Sequence, residues 1–364
     1  MRLSLIVRAS HKTKPGGDVI QATAYGAWLS QHGHSVVVDS IGPETRNCDL
    51  AFIFNIDLMS EWVRQGQDLA AHGCPYFAVP IHHPWQWLGQ FEEQGRSGVW
   101  RAANLVLRSP GMRDRVRDVG RSPSLSRARW HLASRRPLVD QAAEVLARAA
   151  SVVYNAEGEK THIERDFGVA PDGILVLNGA YDGPSSAGSA RDIDLAVVGR
   201  IEERKNQLHL ARALAGTSMT VVFAGHIGGA NRGYARRLLD VIGAADNLSY
   251  VGQLGAEDLQ ALLGRTKVSV SASWVEVLSL VDIEAYVAGC NVIASANGFS
   301  REYGIQGLLE LTPKSSHQEV VETCRLALAG WSEPSASDRS SRLAKHSWQT
   351  SLAPLAAVAT TGRS

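Results

Sequence analysis

Two short stretches carry charged side chains at spacings suited to chemistry on phosphates and hydroxyls. The first reads Gly199-Arg200-Ile201-Glu202-Glu203-Arg204-Lys205-Asn206-Gln207 and lies between an apolar run, Leu195 to Val198, and a helical pattern. Where a parallel strand ends and a helix begins, free backbone amides already favour an anion. Arg200 and Lys205 add two full charges there. On this stretch alone, a solvated loop competes with that reading, because Glu202 and Glu203 partly cancel the cations. The second stretch runs from Trp274 to Glu284, after the apolar run Val268 to Ser271. Glu276 falls in a turn, and Glu284 falls on a helix predicted to start near Ser279, a residue type that caps helices. Carboxylates accept hydrogen bonds in pairs, which suits the vicinal hydroxyls of a sugar or a ribose.

Other candidates are less determined. His82 and His83, in Val79-Pro80-Ile81-His82-His83-Pro84, read either as a pair capping a strand or as site residues. A metal site built from His72, Cys74, His82 and His83 is disfavoured, since Pro75, Pro80 and strand alternation scatter the ligands. Trp85 and Trp87 suit the face of a sugar ring or simple packing equally well. Asp192-Ile193-Asp194 leads straight into a strand and is given no catalytic role. The stretch from Arg96 to Arg136 holds eleven arginines against only Asp114 and Asp118, in a chain whose formal net charge is +1. Such an imbalance points to an anionic surface or a phosphate-bearing ligand.

The elements that must position these residues follow a repeating order. Leu3 to Val7 reads as a strand, Pro15-Gly16-Gly17-Asp18 as a turn, Val19 to His32 as a helix stopped by Gly33, and Ser35 to Val38 as the next strand. Apolar runs at Leu50 to Phe54, Tyr76 to Pro80, Ser151 to Tyr154 and Ile174 to Leu177 continue the alternation. A second series follows at Leu195 to Val198, Met219 to Ala224, Leu248 to Val251, Val268 to Ser271 and Asn291 to Ser295. The expected fold is α/β, with two Rossmann-like parallel-sheet domains facing a central cleft. Residues 1–182 form the first domain, 183–190 a linker, 191–345 the second domain, and 346–364 a tail that packs back on the first domain through Trp348. The length of 364 residues, with 45% apolar and 20% charged residues, suits two packed domains. The four cysteines form no CxxC pair, and no apolar run is long enough to span a bilayer. A cytoplasmic protein is expected, in peripheral contact with the inner membrane face through Arg96 to Arg136.

Taken together, VGRIEERKNQ and the later SASWVEVLSLVDIEAYVAGCNVIAS resemble the retaining family-4 glycosyltransferases, which share the two-domain GT-B fold. The resemblance extends to Gly16-Gly17, Gly33-His34, Leu177-Asn178-Gly179 and Gly252-Gln253-Leu254. It implies that Arg200 and Lys205 clamp a nucleoside diphosphate, that Glu276 contacts the donor sugar, and that Glu284 accepts from the ribose. Gly16, Gly17, Gln253, Leu254 and Leu280 would lie along the nucleotide. His82 would sit by the anomeric carbon, with His83, Asp18, Trp85 and Trp87 as acceptor-side candidates. The sequence departs from the family at Val277-Leu278-Ser279, where two glycines are usual and would let backbone amides approach the sugar.

The implied reaction moves a hexose-type sugar from a nucleoside diphosphate to a hydroxyl acceptor with retention, without metal or other cofactor. A phosphate-bearing or lipid-linked glycan is the acceptor class the arginines suggest. Two other readings stand beside it: a non-catalytic sugar-nucleotide-binding partner of another transferase, and a glycosyltransferase acting on nucleic acid. The second rests on the arginines alone, and nucleic acid is not an expected partner. Base, sugar and acceptor are not fixed by these residues.

Overall fold

The computed structural model describes residues 1–12, 16–96, 109–121, 136–181 and 190–356. The chain divides into two compact units. The first comprises Met1–Trp85, Ser97–Leu177 and the residues from Leu352 onward, and the second Gln86–Arg96 and Asn178–Ser351.

In the first unit, apolar runs rich in β-branched and aromatic residues form β1 (Arg2–Ile6), β2 (Ser35–Asp39), β3 (Leu50–Phe54), β4 (Tyr76–Val79), β5 (Ser151–Tyr154) and β6 (Gly173–Leu175). They pair in parallel in the order β2-β1-β3-β4-β5-β6. Every residue of β3 and β4 is buried, as expected of central parallel strands covered on both faces. One face packs Ile53, Ala78 and Val152 against Trp62, Leu69 and Leu146. Trp62 and Leu69 lie on α3 (Met59–Ala71), the helix after β3. On the other face Phe52 meets Phe77 and Tyr25 edge-on, with ring centroids 5.3 and 6.4 Å apart. Tyr25 belongs to α1 (Gly17–Gln31), which follows β1.

In the second unit, β7 (Ile193–Val198), β8 (Val221–Ala224), β9 (Leu248–Tyr250), β10 (Thr266–Val270), β11 (Asn291–Ser295) and β12 (Leu309–Leu311) pair in parallel as β12-β11-β10-β7-β8-β9. The chain winds one way from β7 and then returns to add β10 on β7's other side. The carboxyl ends of β7 and β10 are therefore neighbours at the point where the order reverses, the place where open α/β sheets bind ligands. In the first unit the same reversal lies between β1 and β3.

The expectation of two parallel α/β domains is met, and strand ends shift by no more than two residues. β12 was not anticipated, because three residues of Leu-Glu-Leu give no usable alternation. The division of the chain also differs from the expected one. Gln86–Arg96 belongs to the second unit, and the expected linker, 183–190, falls almost wholly outside the described residues. The tail is split as well. Trp348 is buried within the second unit, where its amide donates to the Ala180 carbonyl at 3.2 Å and its backbone packs on Gly179. Among the described residues, no helix is long and apolar enough to cross a membrane.

Candidate functional site

The loops after β7, β8 and β9 are laced together by their backbones. Gly199 N donates to Ala224 O at 3.0 Å, Ile201 N to His226 O at 2.9 Å, and Gly225 N to Gly252 O at 2.8 Å. Gly225 has φ +155, and a Cβ there would lie 1.8 Å from the Gly199 carbonyl oxygen, so only glycine lets these loops approach. Gln207, at the start of α8 (Gln207–Leu214), donates to the Arg200 carbonyl at 2.7 Å. Arg200 thus starts from a fixed backbone while its side chain remains partly exposed.

Charge gathers around this point. Glu202 accepts from Arg200 at 3.4 Å and from Arg204 at 3.2 Å, while Glu203 turns away to Arg237 at 3.4 Å. Of the acidic pair expected to cancel the cations in part, Glu202 therefore does so and Glu203 does not. Lys205 is paired with Glu276 across the reversal point. Three cations consequently face two carboxylates, which favours a further anion. Burial alone pushes Glu276 up. Lys205, Arg204 and the hydrogen bonds from Lys205 and Ser273 outweigh it and hold the carboxyl down to about 2. Asn206 lies in the left-handed region at φ 59 and donates to the carbonyls of Ala272 (3.2 Å) and Pro313 (3.1 Å), tying the cation loop to the chain after β10.

The turn around Glu276 is held by the segment after β11. Glu276 N donates to Asn297 O at 2.8 Å, Phe299 N to Val277 O at 2.9 Å, and Asn297 Nδ2 to Trp274 O at 2.9 Å. No residue from Val277 to Ser279 has a positive φ, and Val277 and Leu278 are buried. The two missing glycines are therefore not required for this backbone path. Ser279 caps α11 (Leu280–Val287), accepting from Asp282 N at 3.4 Å. Asp282 is buried and accepts from Ser300 Oγ at 2.6 Å, and burial pushes it up to about 6. The Glu284 carboxyl, two residues on, has no ion pair or hydrogen bond among the described residues, and burial pushes it up to about 7. Leu280 opens the same helix. Gln253 is exposed beside Gly252, and Leu254 packs on Ala224 and Leu262.

In the first unit the expected site residues are mostly engaged internally. The His82 ring is fully buried, with Nδ1 donating to Asp57 at 2.7 Å and Nε2 to Asp166 at 2.8 Å, and its backbone N–H donates to Glu159 at 2.7 Å. Burial lowers its pKa, but Asp57 and Asp166 overcome that and raise it to about 9. His83 Nδ1 and N donate to the other oxygen of Asp57, and the two histidines hold that carboxyl well below its usual range despite burial. The expected chemical role for the His82 side chain is corrected accordingly: with both nitrogens on buried carboxylates, the ring works as a strut. Ile81 has φ 48, an outlier for a β-branched residue, and it turns the chain so that both rings reach Asp57. Asp18, on the first turn of α1, is buried and ion-paired with Arg8 at 3.2 Å, so its carboxylate is not presented to an acceptor. Gly16 caps α1 and Gly17 opens it. Trp85 packs on Phe167, with ring centroids 5.0 Å apart, and donates from its backbone to Asp166, whereas Trp87 lies in the second unit on Phe299.

Sequence reasoning missed Arg204, Asp282, Asp57 and Asp166. Asp57 had a usable signal, since it follows the end of β3 as Arg200 follows β7. Asp282 and Asp166 sit on helices where nothing local marks them. His72 and Cys74 are not gathered with His82 and His83, and Cys74 instead contacts Cys48, with the sulfurs 2.8 Å apart. Asp192 and Asp194 pair with Arg265 and Lys267 at the opposite end of β7 from Arg200. Most of the arginine-rich stretch lies outside the described residues. Within it, Asp118 pairs with Arg64 at 2.9 Å and Asp114 accepts from Ser60 at 2.6 Å, both from α3.

Residues 185–345 match the family described as "Glycosyl transferases group 1". No curated protein matches the sequence. Several solved structures are similar along the whole chain. Sucrose-phosphate synthase from Thermosynechococcus elongatus is 18% identical with a TM-score of 0.65, covering 99% of this chain and 98% of its own. HepE of Anabaena, solved in complex with UDP-glucose, is 15% identical with a TM-score of 0.66, covering 99% and 100%. A glycosyltransferase from Rickettsia africae is 13% identical with a TM-score of 0.59, covering 99% and 98%. At these identities the likeness establishes the fold.

Proposed function

We propose that this chain is a glycosyltransferase that moves a sugar from a nucleoside diphosphate sugar to a hydroxyl acceptor with retention and without a metal. The observation that carries the proposal is the cluster of Arg200, Arg204 and Lys205 with Glu276, at the carboxyl edge where the second sheet reverses. The match of that unit to glycosyl transferases group 1 supports it. So does the likeness to a protein solved with UDP-glucose.

On this reading Arg200 and Lys205 hold the diphosphate and stabilise charge that develops on it as the glycosidic bond breaks, usually the largest single contribution in such sites. Lys205 also fixes Glu276 in its ionised form, ready to accept from sugar hydroxyls. Glu284, raised by burial and without a counter-charge among the described residues, gains a donor when a ribose hydroxyl arrives. Leu280, at the start of α11, contributes a free helix amide, and the Gln253–Leu254 backbone lies towards the base. The leaving phosphate takes the acceptor proton on the same face. The resemblance assigns the Gly16–Gly17 backbone to the donor phosphates and the His82–His83 segment to the reacting end of the sugar and the acceptor.

A thermal-shift panel of UDP, GDP, ADP and dTDP tests the reading. A ligand at one hundred times its dissociation constant adds about 2.7 kcal/mol of stability. One nucleotide is expected to stand out, and no shift with any of the four would refute the proposal.

A further inference from the structure

The segment Gln86–Arg96 precedes the second unit's other residues by a long stretch of sequence and nevertheless folds with them. It consists of the end of α4 (Trp85–Gln90) and one wide turn, Phe91–Gly95. Its aromatic side chains meet the aromatic residues that flank the Glu276 turn. Trp87 lies on Phe299 with ring centroids 5.4 Å apart, and Phe91 lies on Trp274 at 6.4 Å. Phe299 is itself bonded to the turn through Val277, and Trp274 N donates to the carbonyl of Arg204 in the cation loop at 2.8 Å.

The fit at Gly95 is close. A Cβ there would lie 2.6 Å from Cε2 of Trp274 and 2.7 Å from Phe91, so the segment is seated with no room for a side chain. Glu92 is buried and pairs with Arg96 at 3.1 Å, and the Arg96 guanidinium lies 5.2 Å from the Phe91 ring centre. The wide turn is thereby closed on itself. Phe91, Phe299 and Trp274 are buried, whereas Trp87 keeps part of its surface exposed.

The turn beside Glu276 carries Val277 and Leu278, both pointing inward, in place of glycines. It offers the sugar less open backbone than two glycines would, so a neighbouring apolar surface has to orient the ring. We infer that Trp87, seated on Phe299 beside the Glu276 turn, is a specificity-determining residue of the donor-sugar site and supplies the flat wall for the transferred sugar. Aromatic side chains give such a wall a large apolar face at little entropic cost. This rests on the nucleotide-sugar reading above. It moves Trp87 from the acceptor to the donor and leaves Trp85 as packing in the first unit.

The test is calorimetric titration of the full-length protein, wild type, Trp87→Ala and Trp87→Phe. The probes are whichever of UDP, GDP, ADP and dTDP binds, and the matching UDP-glucose, GDP-mannose, ADP-glucose or dTDP-glucose. Trp87→Ala is expected to bind the nucleoside diphosphate within twofold of wild type and the nucleotide sugar about tenfold more weakly, with the melting temperature kept. Trp87→Phe is expected to recover most of the loss. If Trp87→Ala weakens both probes by the same factor, or neither, the inference is overturned while the nucleotide reading stands. If wild type binds no nucleoside diphosphate, the nucleotide reading falls and takes this inference with it.

Discussion

The first unit's cluster around His82 and the second unit's cluster around Lys205 use similar parts, two or three carboxylates and a few cations at the ends of parallel strands, and are closed differently. Around His82 every strong group is answered inside the protein: each ring nitrogen meets a carboxylate, and Asp57, Asp166 and Glu159 each accept from more than one donor. Around Lys205 the cations Arg200, Arg204 and Lys205 face only Glu202 and Glu276, Arg200 remains partly exposed, and Glu284, on α11, has no counter-charge among the described residues. A saturated network of buried charges gives its energy to holding a shape, whereas an unsaturated one leaves energy for a ligand. Residue type does not separate the two cases, because histidines and aspartates at strand ends look as catalytic as arginines and glutamates.

The contrast can be broken experimentally. The largest effect is expected for His82→Ala, which strands two buried carboxylates and should cost about 3–5 kcal/mol, read as a lowered unfolding transition in calorimetry. The pH dependence has a definite sign. The folded-state pKa of His82 is raised to about 9 from 6.5, so its stabilisation is complete below about 6.5 and is lost as pH rises through about 9. His82→Ala should remove that slope.

Lys205→Ala, in the open cluster, should instead lower turnover by about 10²–10³, with a smaller loss of stability than His82→Ala. An equal or larger loss of stability would mean that the Lys205 pair is as structural as the histidine cluster.

Glu284→Gln is expected to weaken nucleotide binding by roughly 1.5–3 kcal/mol, the range for a hydrogen bond to a charged group. Burial raises the Glu284 carboxyl to about 7 from 4.5, so the ligand-free folded state holds an extra proton between those values. Stability should therefore fall as pH rises from about 4.5 to about 7, and the variant should lack that fall. The smallest effect is expected for Ser279→Ala. It removes a long capping bond from α11 at a cost of about 0.5 kcal/mol, visible as a slight fall in melting temperature with nucleotide affinity retained.

Much of this was legible in the chain. The alternation of apolar runs and helical stretches placed eleven of the twelve strands among the described residues, because a buried parallel strand must be a short apolar run and a crossover helix must follow it. Arg200 and Lys205 could be singled out because they follow a strand end, where the fold itself creates an anion-friendly edge, whereas Glu276 and Glu284 were nominated mainly by the resemblance to a known family. Ser279 marked the start of α11 through its own capping chemistry.

What the sequence left open are matters of distance between residues far apart in the chain. That Glu203 leaves the cluster for Arg237 while Glu202 stays is decided by the turn from Glu203 to Lys205 and by the position of the helix Arg232–Gly243. That His82 is a strut follows from Asp57 and Asp166 arriving from two different crossovers. That Gln86–Arg96 belongs with the second unit follows from aromatic packing on Trp274 and Phe299, which local pattern does not encode. Local chemistry and periodicity thus set the elements and nominated the charges at their ends, whereas the saturation of those charges depends on partners brought together only by the tertiary fold.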